Sequence, residues 1–316
     1  MQEITAEQSE ALAKMISFMA KTGIGTDACL RYKCLPLRVH YYSPVPDIAD
    51  LERRNCFYHR SLLPGICWRE EEQLAFLAQL GQMFGNECDW PIGPTQDSYQ
   101  YYTENGRFGY GCATRLHCII RYFRPRKVIE IGSGFSSLVI SSALGINETP
   151  ETEYTIIDPY PPQLIRNSFP RMTHLINERI ELIDVAFFKR LEKNDVLFID
   201  SSHTVKIDGD VNYLILEILP RLAQGVIVHF HDIPMPCEYP KVYYTNPQFR
   251  VFWTESYLLQ AFLCFNSQFE ILLAMSYLMT ERKKEFSSAF KHYNPEKRKA
   301  ISGSFWIRRK AKSLDD

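Results

Sequence analysis

Through the middle of the chain, apolar residues come in short runs closed off by glycine, proline or acidic residues, which is the pattern of buried strands alternating with helices. Val128, Ile129 and Ile131, interleaved with Glu130, predict a first strand; the small-residue loop Gly132, Ser133, Gly134 follows, and Phe135 to Leu144 predict a helix. YTIIDP (154–159), IELIDV (180–185), DVLFID (195–200) and GVIVHFHD (225–232) read as strands two to five. Helices fit between them, most clearly from Asp208 to Leu222. A further helix over Trp253 to Phe265 precedes FEILLAM (269–275) as a sixth strand, and GSFWIRR (303–309) reads as a seventh. Strand and helix in alternation are the signature of an open parallel sheet.

The pattern before residue 110 is different. Ile4, Leu12, Met15, Ile16 and Met19 recur near helical spacing, so residues 1 to about 22 predict an amphipathic helix that packs on the body or permits a homodimer. Pro36, Pro44 and Pro46 forbid a long helix across His40 to Asp47, and the aromatic segment HYYSPVPDIADLE is placed either to cover a ligand or to lie as a surface loop. Arg69 to Met83 predict a helix with acids in its first turn, and Thr114 to Phe123 another. Between these two, GNECDWPIGPTQDSYQYYTENGRFGYG has the composition of a linker. The expected organisation is a helical and irregular extension over 1–105 and a main domain over 106–316. The basic stretch ERKKEFSSAFKHYNPEKRK reads as a solvated helix and loop.

Composition narrows the function classes. The chain has 316 residues, 46% hydrophobic and 23% charged, as a soluble globular protein has. A formal net charge of -1 argues against nucleic acid as a partner, since phosphate backbones are bound through surplus Lys and Arg. Nine cysteines without CxxC spacing fit neither a disulfide framework nor a structural zinc site, and read as reduced thiols. The polar, acidic start shows no signal peptide, and no apolar run is long enough to span a membrane. The expectation is a soluble, cytoplasmic protein without a membrane partner.

The candidate chemistry lies at the predicted strand ends, because open α/β sheets bind ligands outside the carboxyl ends of their strands. The Gly132-Ser133-Gly134 loop allows positive φ angles and close approach of a ligand. Glu130, two residues earlier, would repel a pyrophosphate but suit a cationic ligand. Asp158 closes strand two, about twenty residues beyond the loop, the spacing at which an acid accepts both ribose hydroxyls in dinucleotide and related sites. Asp184, at the expected end of strand three, is placed to hold an adenine amine or, equally, to cap a helix. Strand four ends in Asp200 and His203, and strand five in His229, His231 and Asp232. Period-two alternation puts His229 and His231 on one face, with His229 the deeper and structural one. Gathering this many ionisable groups at one edge is unfavourable unless they pair or bind something.

In order, EIGSGFSS, IDPYP, NDVLFIDSSH and LPRLAQGVIVHFHDI followed by EYP resemble a class I S-adenosylmethionine (AdoMet) dependent methyltransferase. HYYSPVPD and LPGICWREEEQL add to a likeness that spans roughly residues 36 to 280 and points to an uncharacterised bacterial group. The resemblance implies a Rossmann-like, doubly wound seven-stranded sheet whose last strand runs antiparallel. It implies that Glu130, Gly132, Gly134, Asp158 and Asp184 hold the cofactor, with Ser133 in the same loop and Asp200 at the next strand end as further candidates. Relatives that act on catechols and sugars hold Mg2+ through an acid after strand four and an acidic pair after strand five. Asp200 and Asp232 match those places, but His231 replaces one of the pair, a departure that a hard ion does not favour. His203 and His231 are the candidate bases for a hydroxyl acceptor, with Asp200 or Asp232 orienting one of them. The expected reaction is O-methylation of a small, polar or sugar-like acceptor. An NAD-dependent oxidoreductase, against which Glu130 and Ser137 count, and a non-catalytic scaffold are the alternatives.

Overall fold

The computed structural model describes residues 4–147, 152–167, 169–289 and 302–310. The chain divides into two compact units, one of Met1–His59 with Pro240–Phe252 and the other of Arg60–Tyr239 with Trp253–Asp316. In the first unit the helix Ala6–Thr22 opens on a capping box, the Thr5 hydroxyl accepting from the Gln8 amide while the Gln8 side chain accepts from the Thr5 amide. This helix has no buried residue. Within the same unit Phe57 packs on Tyr244 with ring centroids 5.5 Å apart, and Lys241 pairs with Glu52 at 2.9 Å.

The second unit is built on a seven-stranded sheet: β1 (Lys127–Ile131), β2 (Glu153–Ile157), β3 (His174–Ile176), β4 (Val196–Ile199), β5 (Ile227–Phe230), β6 (Phe269–Ala274) and β7 (Phe305–Arg309). Their order across the sheet is β3-β2-β1-β4-β5-β7-β6. The first five run parallel, and β7 is antiparallel to both β5 and β6. The strand order reverses between β1 and β4, which opens a crevice at their carboxyl ends. β4, β5 and β6 are buried throughout, so they lack the polar alternation of a one-sided sheet.

Strand three is a correction. IELIDV alternates as a strand should, yet Ile180–Leu182 is a 3-10 turn and Leu182 is largely exposed. The third strand is the short edge segment His174–Ile176, whose partly exposed residues carry no apolar period to find.

The helix Tyr110–Phe123 is buried on nearly all sides, as an inner helix must be, and packs beside Phe135–Ile146. It begins before the expected Thr114 because Gly111, which reads as loop, is a packing residue: a Cβ there would lie 2.8 Å from Met279 Sδ and 2.9 Å from Ser302 Cβ. The preceding segment is packed within the same unit, with the Tyr101 hydroxyl donating to the Phe108 carbonyl at 2.7 Å and the Trp90 and Tyr101 rings in edge contact. The helix after β4 contains a π-helical stretch, Tyr213–Ile218, and the Tyr213 hydroxyl donates to the Ile183 carbonyl. Lys283–Ala289 is helical as expected of the basic stretch, whose residues 290–299 lie outside the described residues. No helix among the described residues is long and apolar enough to cross a membrane.

Candidate active site

β1 delivers the chain into a turn that only glycine can make. Gly132 has φ +79°, and a Cβ on it would lie 2.0 Å from the carbonyl oxygen of Asp200. Its amide donates to the Ile157 carbonyl, while the Asp200 amide donates to Ile131, so the ends of β1, β2 and β4 are tied together. Gly134 is extended, and a Cβ there would meet nothing within 4 Å. Its amide donates to Ser137 Oγ at 3.1 Å.

A cavity of about 490 Å³ opens over these strand ends. Gly132, Ser133, Asp158 and Asp200 line it, together with Ile131, Ile157, Tyr160, Arg179, Ile180, Glu181, Ser202, Lys206 and Asp210. Asp158 accepts from Ser133 Oγ at 2.6 Å and from the Tyr160 amide at 2.7 Å. A carboxylate has about four acceptor positions, so roughly two remain for a ligand. Asn177 fixes the Asp158 segment from behind by donating to the carbonyls of Asp158 and Pro159. Both cations on the wall are already paired, Arg179 with Glu181 and Lys206 with Asp210 at 3.5 Å. Asp200 faces the two histidines described below, so Asp158 is the carboxylate of the cavity wall left without a cationic partner among the described residues.

Glu130 does not line the cavity. It is fully buried behind the loop, where its carboxyl accepts from Ser136 Oγ at 2.6 Å, from Ser137 Oγ at 2.9 Å and from the Tyr154 hydroxyl. Burial pushes its pKa up to about 7 against the pull of those hydroxyl donors. Its role in the fold is to hold the start of the helix Phe135–Ile146 against β1 and β2. Asp184 is exposed and caps the turn Val185–Arg190, accepting from the Ala186 amide at 2.8 Å. Because strand three lies elsewhere, Arg179, Ile180 and Glu181 occupy the wall expected of Asp184, and the misread strand hid them.

Beside the cavity, sharing Asp200 with it, lies a dense cluster. His203, at φ +56°, has its ring between carboxylates: Nδ1 is 2.8 Å from Glu255 Oε2, and Nε2 is 3.2 Å from Asp200 Oδ1 and 4.0 Å from Asp232 Oδ2. Its carbonyl accepts from the amides of Thr254 and Glu255, which ties it to the start of the helix Glu255–Leu263. His231 Nδ1 lies 3.6 Å from Asp200 Oδ1 and 3.4 Å from Asp232 Oδ2, and its ring stacks on Phe108. Burial disfavours charge on both rings, but the carboxylates outweigh it, raising His203 to about 10 and His231 well above the usual range. Burial likewise opposes ionisation of Asp200 and Asp232, and the imidazolium charges hold both below the ordinary carboxylate range. His229 is separate: it is fully buried, stacks on Phe198 at 4.0 Å, and has Nε2 3.1 Å from Ser304 Oγ. Burial and the charge of His231 hold its pKa well down.

Glu255 was not legible. An acid opening a helix reads as a favourable dipole contact, and nothing local announces that it is fully buried against a histidine 52 residues earlier.

A family model described as a methyltransferase domain matches residues 129–233, the span from β1 to the end of the cluster. An uncharacterized protein of Archaeoglobus fulgidus is 34% identical over 165 residues, covering 49% of this chain and 73% of the archaeal one. Among solved structures, the O-methyltransferase TomG from Streptomyces achromogenes, in complex with SAM, is 12% identical at a TM-score of 0.39, covering 83% of this chain and 96% of its own. The SAH-bound Podospora anserina methyltransferase PaMTH1 is 15% identical at 0.38, covering 86% and 100%. Likenesses this distant decide nothing about chemistry. The matched methyltransferase domain does, and with it the chain belongs to the class I AdoMet-dependent methyltransferases, whose sheet architecture it shares. Within that class it shares a family with the archaeal protein.

Proposed function

We propose that the cavity over β1, β2 and β4 binds AdoMet and that the chain transfers its methyl group to an oxygen of a small, polar acceptor held at the histidine-carboxylate cluster. The observation that carries the reading is the Asp158 carboxylate on the cavity wall, whose acceptor positions remain open once both wall cations and Asp200 are paired. Such a wall favours a ligand bearing an ammonium and a sulfonium over a pyrophosphate, and so favours AdoMet over NAD. In this reading the free acceptor positions of Asp158 take the ribose hydroxyls, Gly132 and Ser133 give the ligand backbone-close approach, and Ile131, Ile157 and Ile180 supply the apolar contacts. Glu130 and Gly134 act from behind the loop, by fixing the helix start that shapes it.

AdoMet supplies a methyl group on a good leaving group. The protein must then align donor and acceptor, exclude water and let the acceptor lose its proton. Asp200 belongs to both the cavity and the cluster, which sets an oxygen held by His203, His231 and Asp232 beside the donor. The test is methyl transfer from labelled AdoMet to a panel of polyols, sugars and phenols. H203A, H231A and D232N are each expected to lower turnover at least 100-fold while S-adenosylhomocysteine (SAH) binding stays within threefold. Turnover that survives all three substitutions contradicts the assignment.

A further inference from the structure

The cluster has a property that a hydrogen-bond network does not explain. His231 is 6% exposed, and its Nδ1 reaches the two carboxylates only at ion-pair distance, 3.4 Å from Asp232 Oδ2 and 3.6 Å from Asp200 Oδ1, without a well-aligned hydrogen bond. Leaving a buried ring nitrogen between two carboxylates with no aligned hydrogen bond is costly, and such a gap suits an occupant. Around that ring the donor atoms alternate. Asp200 Oδ1 lies 3.2 Å from His203 Nε2 and 3.6 Å from His231 Nδ1; Asp232 Oδ2 lies 3.4 Å from His231 Nδ1 and 4.0 Å from His203 Nε2. Donors about 2.1 Å from a shared ion, at angles between square and tetrahedral, sit about 3.0 to 3.4 Å apart. The separations of 3.2 and 3.4 Å fall in that range, and those of 3.6 and 4.0 Å need a small closure of the side chains around an ion.

We propose that Asp200, His203, His231 and Asp232 bind one divalent transition ion of the zinc, cobalt or manganese type. Two imidazoles in the donor set favour such an ion over Mg2+, which takes oxygen ligands. Glu255 supplies the outer contact that metal-bound histidines require. Fully buried, it takes the Nδ1 side of His203 at 2.8 Å and turns Nε2 toward the carboxylates. The ion site rests on geometry alone. Its service to methyl transfer, as the positive charge that holds the acceptor oxygen and favours its deprotonated form, rests on the proposed function.

The full-length protein, stripped with chelator and dialysed, is titrated calorimetrically with Zn2+, Co2+, Mn2+ and Mg2+ as simple salts. SAH binding is measured on the same samples. Expected are one Zn2+ or Co2+ per chain, Mg2+ binding at least 100-fold weaker, and a visible Co2+ spectrum characteristic of nitrogen ligation. H203A and H231A should weaken Zn2+ at least 100-fold, and E255Q about tenfold, while each variant still binds SAH and is thereby shown to be folded. A control substitution at the exposed, remote His174 should change nothing. Zn2+ affinity unchanged in H231A, equal preference for Mg2+, or no stoichiometric binding overturns the ion site. Intact SAH binding in that case leaves the methyltransferase reading standing, whereas metal binding without SAH binding sinks only the latter.

Discussion

Glu130 shows how one residue shapes a site it does not enter. Three hydroxyls satisfy its carboxyl, but burial holds the folded pKa near 7, above its ordinary 4.5. The folded state therefore binds the proton more tightly than the unfolded chain, and stability is lost as pH rises from about 4.5 through 7. In E130Q that loss disappears. The stability of the variant relative to wild type should climb by up to about 3 kcal/mol over this window, since every tenfold difference in proton affinity between the folded and unfolded chain is worth about 1.4 kcal/mol. Denaturant titrations at several pH values check it, and parallel curves for the two proteins contradict it. Gly132 is the second decisive residue. G132A must adopt a left-handed conformation, costing about 1–2 kcal/mol, and must also displace the Asp200 carbonyl. The expected outcome is a stability loss exceeding that figure together with loss of SAH binding; G134A, whose Cβ meets nothing, should fold normally.

Among the elements, those with a clear apolar period were legible. β1, β2, β4, β5, β6 and β7 lie within a residue or two of where the hydrophobic runs put them, because strands buried on both faces show as continuous apolar runs. β3 was not, because a short, partly exposed edge strand buries too little to leave a pattern, while the neighbouring turn alternates by coincidence. That one shift explains why Arg179 and Glu181 were missed and why Asp184 is a cap. The helix Tyr110–Phe123 gives the element-scale test. Its Gly111 permits close packing against Met279 and Ser302, so G111A should cost about 1–3 kcal/mol through overpacking. SAH affinity should stay within twofold, since Gly111 does not line the cavity. A neutral G111A in thermal and chemical denaturation contradicts the packing account.

At the scale of the whole molecule, the sheet brings together groups that are far apart in sequence. Asp158 follows β2, Asp200 and His203 follow β4, and His231 and Asp232 follow β5, so the placing of these strand ends at one edge of the sheet brings them near one another. Partners supplied by loops and helices, Glu255 above all, follow from tertiary packing and leave no local signal. The central claim is that the acidic cavity over the strand ends takes AdoMet through Asp158. Calorimetry of SAH against wild type and D158A tests it most directly. Removing a charge-assisted acceptor costs about 1.5–3 kcal/mol, or about 10- to 150-fold in affinity. Expected are stoichiometric SAH binding to wild type, that loss in D158A, and no binding of NADH; SAH affinity untouched in D158A, or NADH bound in its place, contradicts the claim.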